Sequence, residues 1–183
     1  MTDEKGFTLW FTGLSGAGKT TISKRVEDEL RARGSRLEIL DGDVVRENLS
    51  KGLGFSKEDR DTNIRRIAFV ADLLSRNGVP VITAAISPYR EIRAEARELM
   101  GERFIEVFVK ASVDTCIERD PKGLYEKALK GEIKEFTGVS DPYEEPLDPE
   151  LTLETENESP EESAGKIIGL LEERQLIPAA QPA

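Results

Sequence analysis

The feature that most constrains this chain is the eight-residue stretch Gly13 to Thr20, with the sequence GLSGAGKT. It fits the pattern G-x-x-x-x-G-K-[ST] of a phosphate-binding loop, or P-loop. The preceding residues, Phe7 to Thr12, are apolar and β-prone, and residues 20–33 predict a helix. Because a strand, a glycine-rich loop and a helix in this order are the context that the pattern requires, we expect a nucleotide-binding loop rather than a turn without a ligand.

The residue types of the loop explain how it would hold a nucleotide. Glycines let the backbone wrap around a phosphate with its N–H groups turned inward, and the following helix adds the positive end of its dipole. Lys19 is predicted to be catalytic at the β- and γ-phosphates, and the Thr20 hydroxyl to bind Mg2+. The predicted ATP-binding residues are Gly13, Leu14, Ser15, Gly16, Ala17, Gly18, Lys19, Thr20 and Thr21.

The composition excludes several kinds of site. The chain of 183 residues suits one domain with a sizeable core, and it contains one cysteine, Cys116, and no histidine. A Ser-His-Asp triad, an intrachain disulfide and a histidine-ligated metal are therefore impossible. We expect a carboxylate as any general base, with lysine and tyrosine as the alternatives. A metal would need oxygen ligands, which suits Mg2+.

The net charge of −10 is concentrated in one segment. Residues 141–162 hold ten acidic side chains and no Lys or Arg, and the rest of the chain holds 26 basic and 26 acidic ones. We interpret this segment as solvated surface and expect no nucleic-acid partner. No apolar run is long enough to span a bilayer, and residues 1–6 are too polar for a signal peptide. A cytoplasmic protein without a membrane partner is therefore expected.

Alternating strand and helix patterns indicate the fold class. Residues 79–86 form a near-continuous apolar run, typical of a buried parallel strand, and residues 57–77 carry an apolar stripe at helical spacing. We predict a P-loop NTPase-type α/β fold of three α/β/α layers, with a mostly or wholly parallel five-stranded sheet. Residues 1–175 form a single domain in this prediction, and 176–183 a flexible tail. The predicted strands are 7–12, 36–40, 79–86, 103–110 and 151–155, and the predicted helices 20–33, 57–77, 88–100, 113–119 and 160–174.

Ligands of parallel sheets bind beyond the carboxyl ends of the strands. Asp41 and Asp43 follow the second predicted strand, and Ile86 and Ser87 follow the third. Asp43 could cap a helix, but a carboxylate beside a phosphate site can also accept a hydroxyl proton or hold Mg2+ through water, and we favour that role.

Two further regions admit a structural and a functional interpretation. Arg60 and Asn63 lie three residues apart beside the apolar stripe of one helix. Their side chains are either exposed to solvent or bind an anionic nucleotide. Residues 120–140, which we call the lid segment, are basic and punctuated by glycines. They are either a lid that closes over phosphates or an ordinary surface helix and loop.

Five sequence blocks occur in the order typical of one family. They are GLSGAGKTT at 13–21, DGDVVR at 41–46, GFSKEDRDTNIRR at 54–66, AISPYR at 85–90 and DPKGLYEKALKGEIKEFTGVSDPYEEP at 120–146. Through these blocks the chain resembles the adenylylsulfate kinases (APS kinases) from about residue 7 to 155. Many enzymes share the first block, whereas the blocks at 54–66, 85–90 and 120–146 are much more particular.

The resemblance implies that ATP phosphorylates the ribose 3′-hydroxyl of adenosine 5′-phosphosulfate (APS), giving PAPS and ADP in sulfate activation. It also implies Mg2+ and a homodimer. Phe136 would stack on the acceptor adenine, and Arg119 would pack against the ATP base. The predicted acceptor-binding residues are Asp41, Asp43, Arg46, Phe55, Arg60, Asn63, Ile86, Ser87, Lys122, Leu124 and Phe136.

For the mechanism we predict direct in-line transfer, in which Asp43 orients the 3′-hydroxyl and receives its proton. The family resemblance also raises a phosphoserine intermediate at Ser87, but the chain has no histidine to deprotonate that hydroxyl. The alternative role for Ser87 is contact with Mg2+ or with the substrate.

Three other hypotheses stay open at this point. The chain could be another small-molecule P-loop kinase, or a non-catalytic nucleotide-binding module. It could also associate with ATP sulfurylase, because the same domain occurs fused to that enzyme. Turnover of ATP with APS as acceptor separates the first two from the APS kinase hypothesis.

Overall fold

The computed structural model describes residues 5–179, in which strands and helices alternate. The strands are Thr8–Thr12 (β1), Glu38–Asp41 (β2), Val81–Ala84 (β3), Phe104–Lys110 (β4) and Leu151–Glu154 (β5). The helices are Lys19–Ala32 (α1), Gly42–Asn48 (α2), Lys57–Ser75 (α3), Arg90–Met100 (α4), Val113–Arg119 (α5), Leu124–Leu129 (α6) and Pro160–Glu173 (α7), with a short 3-10 turn at Gly101–Arg103.

Within this described part, the sheet has five strands in the order β2–β3–β1–β4–β5. Every neighbouring pair is parallel, as predicted. The central strand β1 is buried along its whole length and pairs with β3 on one side and β4 on the other. The connection after β1 leads to the β2 edge of the sheet, and the connection after β3 crosses back past β1 to β4. Such a reversal of strand order places a ligand-binding crevice beyond the carboxyl end of β1.

Helices cover both faces of the sheet, and the alternation of side chains along β1 divides the core in two. Leu9 and Phe11 join the core formed with α1 and α7. Trp10 points to the opposite face, where it packs with α3 and α4 and lies 5.5 Å from Phe104, centroid to centroid. Both cores are apolar and fully buried, and this confirms the three predicted layers.

The third strand is shorter than the apolar run predicts. Residues 85–88 leave the sheet, and the carbonyl of Ile86 accepts hydrogen bonds from the Gly13 N–H at 3.5 Å and the Thr12 hydroxyl at 2.7 Å. These contacts turn the end of β3 towards the loop after β1. Ala85 and Ile86, the last apolar residues of the run, are half-buried and line a cleft beside that loop instead of pairing in the sheet.

The first residues of the predicted tail, 176–178, contact the rest of the protein. Leu176 packs against the core and Ile177 is buried in it. Arg33, the C-cap of α1, also donates a hydrogen bond to the Pro178 carbonyl at 2.9 Å. A flexible tail over 176–183 stays a prediction, and its residues 180–183 lie outside the described part. Among residues 5–179, no helix combines the length and apolar character needed to cross a bilayer.

Candidate active site

The P-loop joins β1 to α1 in the conformation that its glycines permit. Gly13 has φ +153°, and a Cβ there would lie 2.3 Å from the Val109 carbonyl oxygen, so a side chain cannot be accommodated. Gly18 is the N-cap of α1 with φ +112° and offers no side chain to bond the first helical N–H groups. Those N–H groups are therefore directed at the space in front of the helix, which suits an anion.

Lys19 lies folded back over this loop. Its Nζ donates hydrogen bonds to the carbonyl oxygens of Gly13 and Leu14, each at 2.8 Å. Burial lowers the pKa of Lys19 to about 8. The ammonium group is thus held in place but poorly solvated, and a phosphate would supply the counter-charge that it lacks.

A single cleft of about 1110 Å³ runs from the P-loop along the ends of β2 and β3 to the lid segment. Gly13 and Leu14 do not line it, since the former packs against Val109 and the latter is part of the core. The other predicted site residues are brought together along its walls: Ser15, Gly16, Ala17, Gly18, Lys19, Thr20, Thr21, Asp41, Asp43, Arg46, Phe55, Arg60, Asn63, Ile86, Ser87, Arg119, Lys122, Leu124 and Phe136.

The two aspartates after β2 have different roles in the local structure. Asp41 is the N-cap of α2, and its Oδ1 accepts a hydrogen bond from the Asp43 N–H at 3.0 Å. The capping function thus belongs to Asp41 and leaves the Asp43 carboxylate facing the cleft. There it forms an ion pair with Lys122 of the lid segment. The Asp43 carboxylate and the Lys122 ammonium group therefore lie in the same cleft as the P-loop.

Arg46 and Phe55 lie together in one wall of the cleft. The guanidinium of Arg46 stacks over the Phe55 ring at 4.4 Å from its centroid and donates to the Gly54 carbonyl at 3.2 Å. Asp59 accepts a hydrogen bond from the Gly54 N–H at 2.8 Å and so shapes this turn. Phe55 remains 56 % exposed. A large aromatic ring held in the open beside a cation suits contact with a ligand.

The helix edge that carries Arg60 and Asn63 is buried, not solvated. Arg60 is 7 % exposed and Asn63 is 6 % exposed, and both line the cleft. Within residues 5–179, the amide oxygen of Asn63 has no hydrogen-bond partner. Burial and, to a smaller extent, the positive charge of Arg60 lower the pKa of Arg46. Two neighbouring arginines and an unpaired amide oxygen suit a polar, anionic ligand.

Ser87 sits at the base of the cleft in a constrained position. It is 1 % exposed, its backbone has φ +43°, and its hydroxyl accepts a hydrogen bond from the Trp10 indole N–H at 3.2 Å. Arg93 of α4 donates to the Ser87 carbonyl at 2.6 Å. The sequence predicted neither hydrogen bond to Ser87, because Trp10 lies on β1 and Arg93 on α4, and only the packing of these elements brings them to Ser87.

The lid segment contributes a short helix and a turn. Tyr125 of α6 is fully buried, donates from its hydroxyl to the Ser15 carbonyl at 2.8 Å, and meets the Phe136 ring edge-on at 5.0 Å. Lys122 and Lys134 line the cleft, as does Ile133. The segment is therefore packed onto the P-loop through Tyr125, a residue whose role no local pattern indicates.

Arg119 binds the far side of the P-loop. One of its nitrogens, Nη1, lies 3.3 Å from each of the Gly16 and Ala17 carbonyls and 3.1 Å from the Thr155 hydroxyl. Its other terminal nitrogen donates to the Thr155 carbonyl at 2.9 Å. Thr155 lines the cleft but was not predicted as a site residue. Its position directly after a parallel strand was the signal that could have found it.

The acidic segment is not simply solvated surface. Asp141 lies 3.1 Å from Arg60, and Glu150 pairs with Arg97 of α4 at 2.5 Å. Glu158 lines the cleft and accepts hydrogen bonds from the Ser163 hydroxyl and the Lys166 ammonium group. The interpretation of residues 141–162 as a solvated stretch was therefore wrong for these three carboxylates.

Comparison with known proteins agrees with this geometry. A family model described as adenylylsulphate kinase matches residues 5–154. The chain belongs to this family. The adenylyl-sulfate kinase of Rippkaea orientalis is 63% identical over 170 residues, which cover 93% of each chain. The APS kinase of Mycobacterium tuberculosis in complex with AMPPNP and APS is 46% identical and superposes with a TM-score of 0.88, over 92% of this chain and 98% of that one.

A further relative, a protein from Sorangium cellulosum, contains the matching region within a longer chain. It is described as a probable bifunctional SAT/APS kinase and is 58% identical over 173 residues. The match covers 94% of this chain and 30% of the relative. As a member of the adenylylsulfate kinase family, the present chain is a kinase with the P-loop fold.

Proposed function

We propose that this protein transfers the γ-phosphoryl group of ATP to the ribose 3′-hydroxyl of APS, giving PAPS and ADP. The observation that carries the proposal is that one cleft contains both the P-loop and the residues on which the family resemblance rests. Phosphoryl transfer requires alignment and charge neutralisation more than covalent chemistry, and the cleft supplies both.

At the nucleotide end, the P-loop amides and the N-terminus of α1 face the phosphates of ATP. Lys19 exchanges its bonds to the Gly13 and Leu14 carbonyls for phosphate oxygens, which restores the full charge that burial disfavours. Arg119 and Thr155 border the side of the cleft that remains for the base of ATP. These groups fix the γ-phosphoryl at the centre of the cleft.

At the acceptor end, APS combines a purine with a phosphosulfate anion. Phe55 and Phe136 line the cleft as the two rings available for stacking, and Arg46 supplies positive charge beside them. The amide of Asn63 offers hydrogen bonds in the same wall. The acceptor site is thus built for an aromatic base attached to an anion.

Asp43 is the group we assign as general base. Its carboxylate lies between the two ends of the cleft, where it orients the 3′-hydroxyl and accepts its proton. Lys122 pairs with Asp43 in this structure and is positioned to neutralise charge on the transferring phosphoryl group. Both groups are mobile enough to change partners during the reaction because neither is buried.

We propose that the cleft also binds Mg2+. Among residues 5–179 there is no group of three or more His, Cys, Asp or Glu side chains that could hold a metal ion. The Thr20 hydroxyl nevertheless supplies a hard oxygen ligand in the cleft, and the carboxylates of Asp41 and Asp43 could hold the ion through water, which leaves Asp43 free to accept a proton. This set fits Mg2+, which protein sites bind through one or two carboxylates together with substrate phosphates. When bound, the ion would neutralise charge on the β- and γ-phosphates.

We also propose a homodimer that acts in the cytoplasm. Leu49, the C-cap of α2, and Phe69 of α3 are exposed and lie together, as expected where a second chain packs. Light scattering should then give twice the chain mass of 20.3 kDa. Association with ATP sulfurylase is a separate proposal, supported by the relative in which the domain is part of a bifunctional protein.

The deciding experiment is a coupled assay of ADP release with ATP and Mg2+, in the presence and absence of APS. Release that requires APS, together with PAPS detected by mass spectrometry, is the expected result. AMP, which lacks the sulfate, serves as the matched acceptor control. ATP binding without APS-dependent release would instead favour another small-molecule kinase or a non-catalytic module, which other hydroxyl acceptors would distinguish.

A further inference from the structure

Arg60 is tied to the loop that carries Phe136. Its Nη1 donates a hydrogen bond to the Thr137 hydroxyl at 2.7 Å, and its Nη2 donates to the Glu135 carbonyl. These two partners are the residues on either side of Phe136. A guanidinium that bonds both neighbours of an aromatic residue fixes the backbone from which that ring projects.

The loop at 135–141, which we call the Phe136 loop, depends on such contacts. Glu135 has a left-handed backbone with φ +54°, a conformation that costs a non-glycine residue free energy. The Phe136 carbonyl accepts the N–H groups of Val139, Ser140 and Asp141 at 3.0 to 3.1 Å, which closes the loop on itself. The internal bonds shape the loop, and Arg60 attaches it to α3.

Asp141, at the end of the loop, holds Arg60 in that position. Its Oδ2 lies 3.1 Å from Arg60 Nη2, and the Arg60 side chain is 8% exposed. A buried guanidinium needs a counter-charge, and the Asp141 carboxylate provides it from the loop itself. Asp141 does not line the cleft, so it does not reach the ligand directly.

We infer that Asp141 is a positioning residue of the acceptor site: with Arg60 it clamps the Phe136 loop so that the Phe136 ring is ready to stack on the acceptor purine. The inference rests on the proposed function in taking that purine to be APS. A guanidinium carries five N–H donors, so Arg60 can hold the loop and still donate to an anionic ligand. Removing the carboxylate loosens the clamp without removing a group that touches either substrate.

The test compares steady-state kinetics of the wild type with D141N, D141E and D148N. Asp148 is the matched control, because it is an exposed carboxylate in the same acidic segment, outside the cleft. We expect D141N to raise the KM for APS about tenfold, the ratio that corresponds to about 1.4 kcal/mol, which is typical of a charge-assisted hydrogen bond. The KM for ATP and kcat should stay unchanged, D141E should recover part of the loss, and D148N should match the wild type.

A second readout does not depend on the acceptor. Lys134 precedes the loop and is exposed, so trypsin should cleave after it faster in D141N than in the wild type or D148N. Equal KM values for APS, or equal losses for ATP and APS, would overturn the inference. If the wild type does not phosphorylate APS, the proposed function fails, and the clamp is then judged by trypsin alone: faster cleavage of D141N supports it and equal cleavage overturns it.

Discussion

Lys122 of the lid segment forms an ion pair with Asp43, at the start of α2, across the mouth of the cleft. Both side chains are largely exposed, at 55% and 74%. Exposed ion pairs contribute at most about 1 kcal/mol to stability, so this contact is easily exchanged for another. Its significance is therefore geometric: it shows that the lid ammonium group reaches the carboxylate that we assign as base.

The first prediction concerns Lys122. Lys122→Gln should lower the melting temperature by at most about 4 °C, because the lost pair is solvent-screened and contributes at most about 1 kcal/mol. Turnover should fall by about 10- to 100-fold if the ammonium group stabilises charge on the transferring phosphoryl. Lys127→Gln, in the same lid segment but outside the cleft, is the control and should change neither quantity. Equal losses of stability and activity in Lys122→Gln would indicate a structural role instead.

The second prediction concerns Asp43. Asp43→Asn keeps the shape of the side chain but removes its ability to accept a proton, so kcat should fall by about 10²- to 10⁴-fold. ATP affinity, measured by calorimetry, should be largely preserved. Asp28→Asn, on the exposed face of α1, is the control and should behave as the wild type. A variant with nearly full turnover would show that Asp43 is not the base.

The nucleotide half of this cleft could be predicted from sequence because its determinants are local. Residues 13–20 contain both the glycines that the loop conformation requires and the lysine that folds over it. The strand β1 is also a local feature, because successive side chains along it point to opposite faces of the sheet and so enter different cores. Such features depend on neighbours in the chain, and a pattern of a few residues encodes them.

The contacts that complete the acceptor half join distant residues. Arg60 and Thr137 are 77 residues apart, and Tyr125 lies 110 residues from the P-loop carbonyl that it binds. Helical spacing placed Arg60 beside the apolar stripe of α3, but only tertiary packing decides whether that edge is solvated or buried. The contacts of Asp141 and Glu158 in the acidic segment were missed for the same reason, since a run of carboxylates does not identify its partners.

The third prediction follows from the lowered pKa of Lys19, about 8 in the free enzyme. Only the protonated form attracts phosphate, so kcat/KM for ATP should fall as pH rises through about 8, by about tenfold for each further unit. Bound phosphates favour the charged form and raise the pKa, so kcat at saturating ATP should persist to higher pH. Burial raises the pKa of the Cys116 thiol, which moves its titration further from that of Lys19.

The check on Lys19 uses ATP affinity in the wild type and in Lys19→Arg between about pH 7 and 9.5. Arginine remains charged throughout this range, so the affinity of the variant should not depend on pH. The same decline in both proteins would assign the titration to another group. No decline in the wild type would mean that Lys19 keeps an ordinary pKa.

The last prediction addresses Ser87, for which a phosphoserine intermediate and a contact role are both open. Ser87 is buried, its hydroxyl already accepts a hydrogen bond from the Trp10 indole N–H, and the chain has no histidine to deprotonate it. Ser87→Ala should leave the buried Trp10 N–H unpaired and lower stability by about 1–3 kcal/mol. Because direct attack of the 3′-hydroxyl on ATP does not need Ser87, turnover should stay near the wild-type value.

Two measurements separate stability from chemistry at Ser87. Trp10→Phe removes the donor and keeps the hydroxyl, so it should destabilise the protein without affecting turnover if the contact is purely structural. After mixing the wild type with ATP labelled in the γ-phosphoryl group, the protein itself should retain no label. Label on the wild type but not on Ser87→Ala, with turnover lost only in that variant, would establish the covalent route. A fully active Ser87→Ala enzyme excludes that route, because a group transferred through a hydroxyl cannot pass through a methyl.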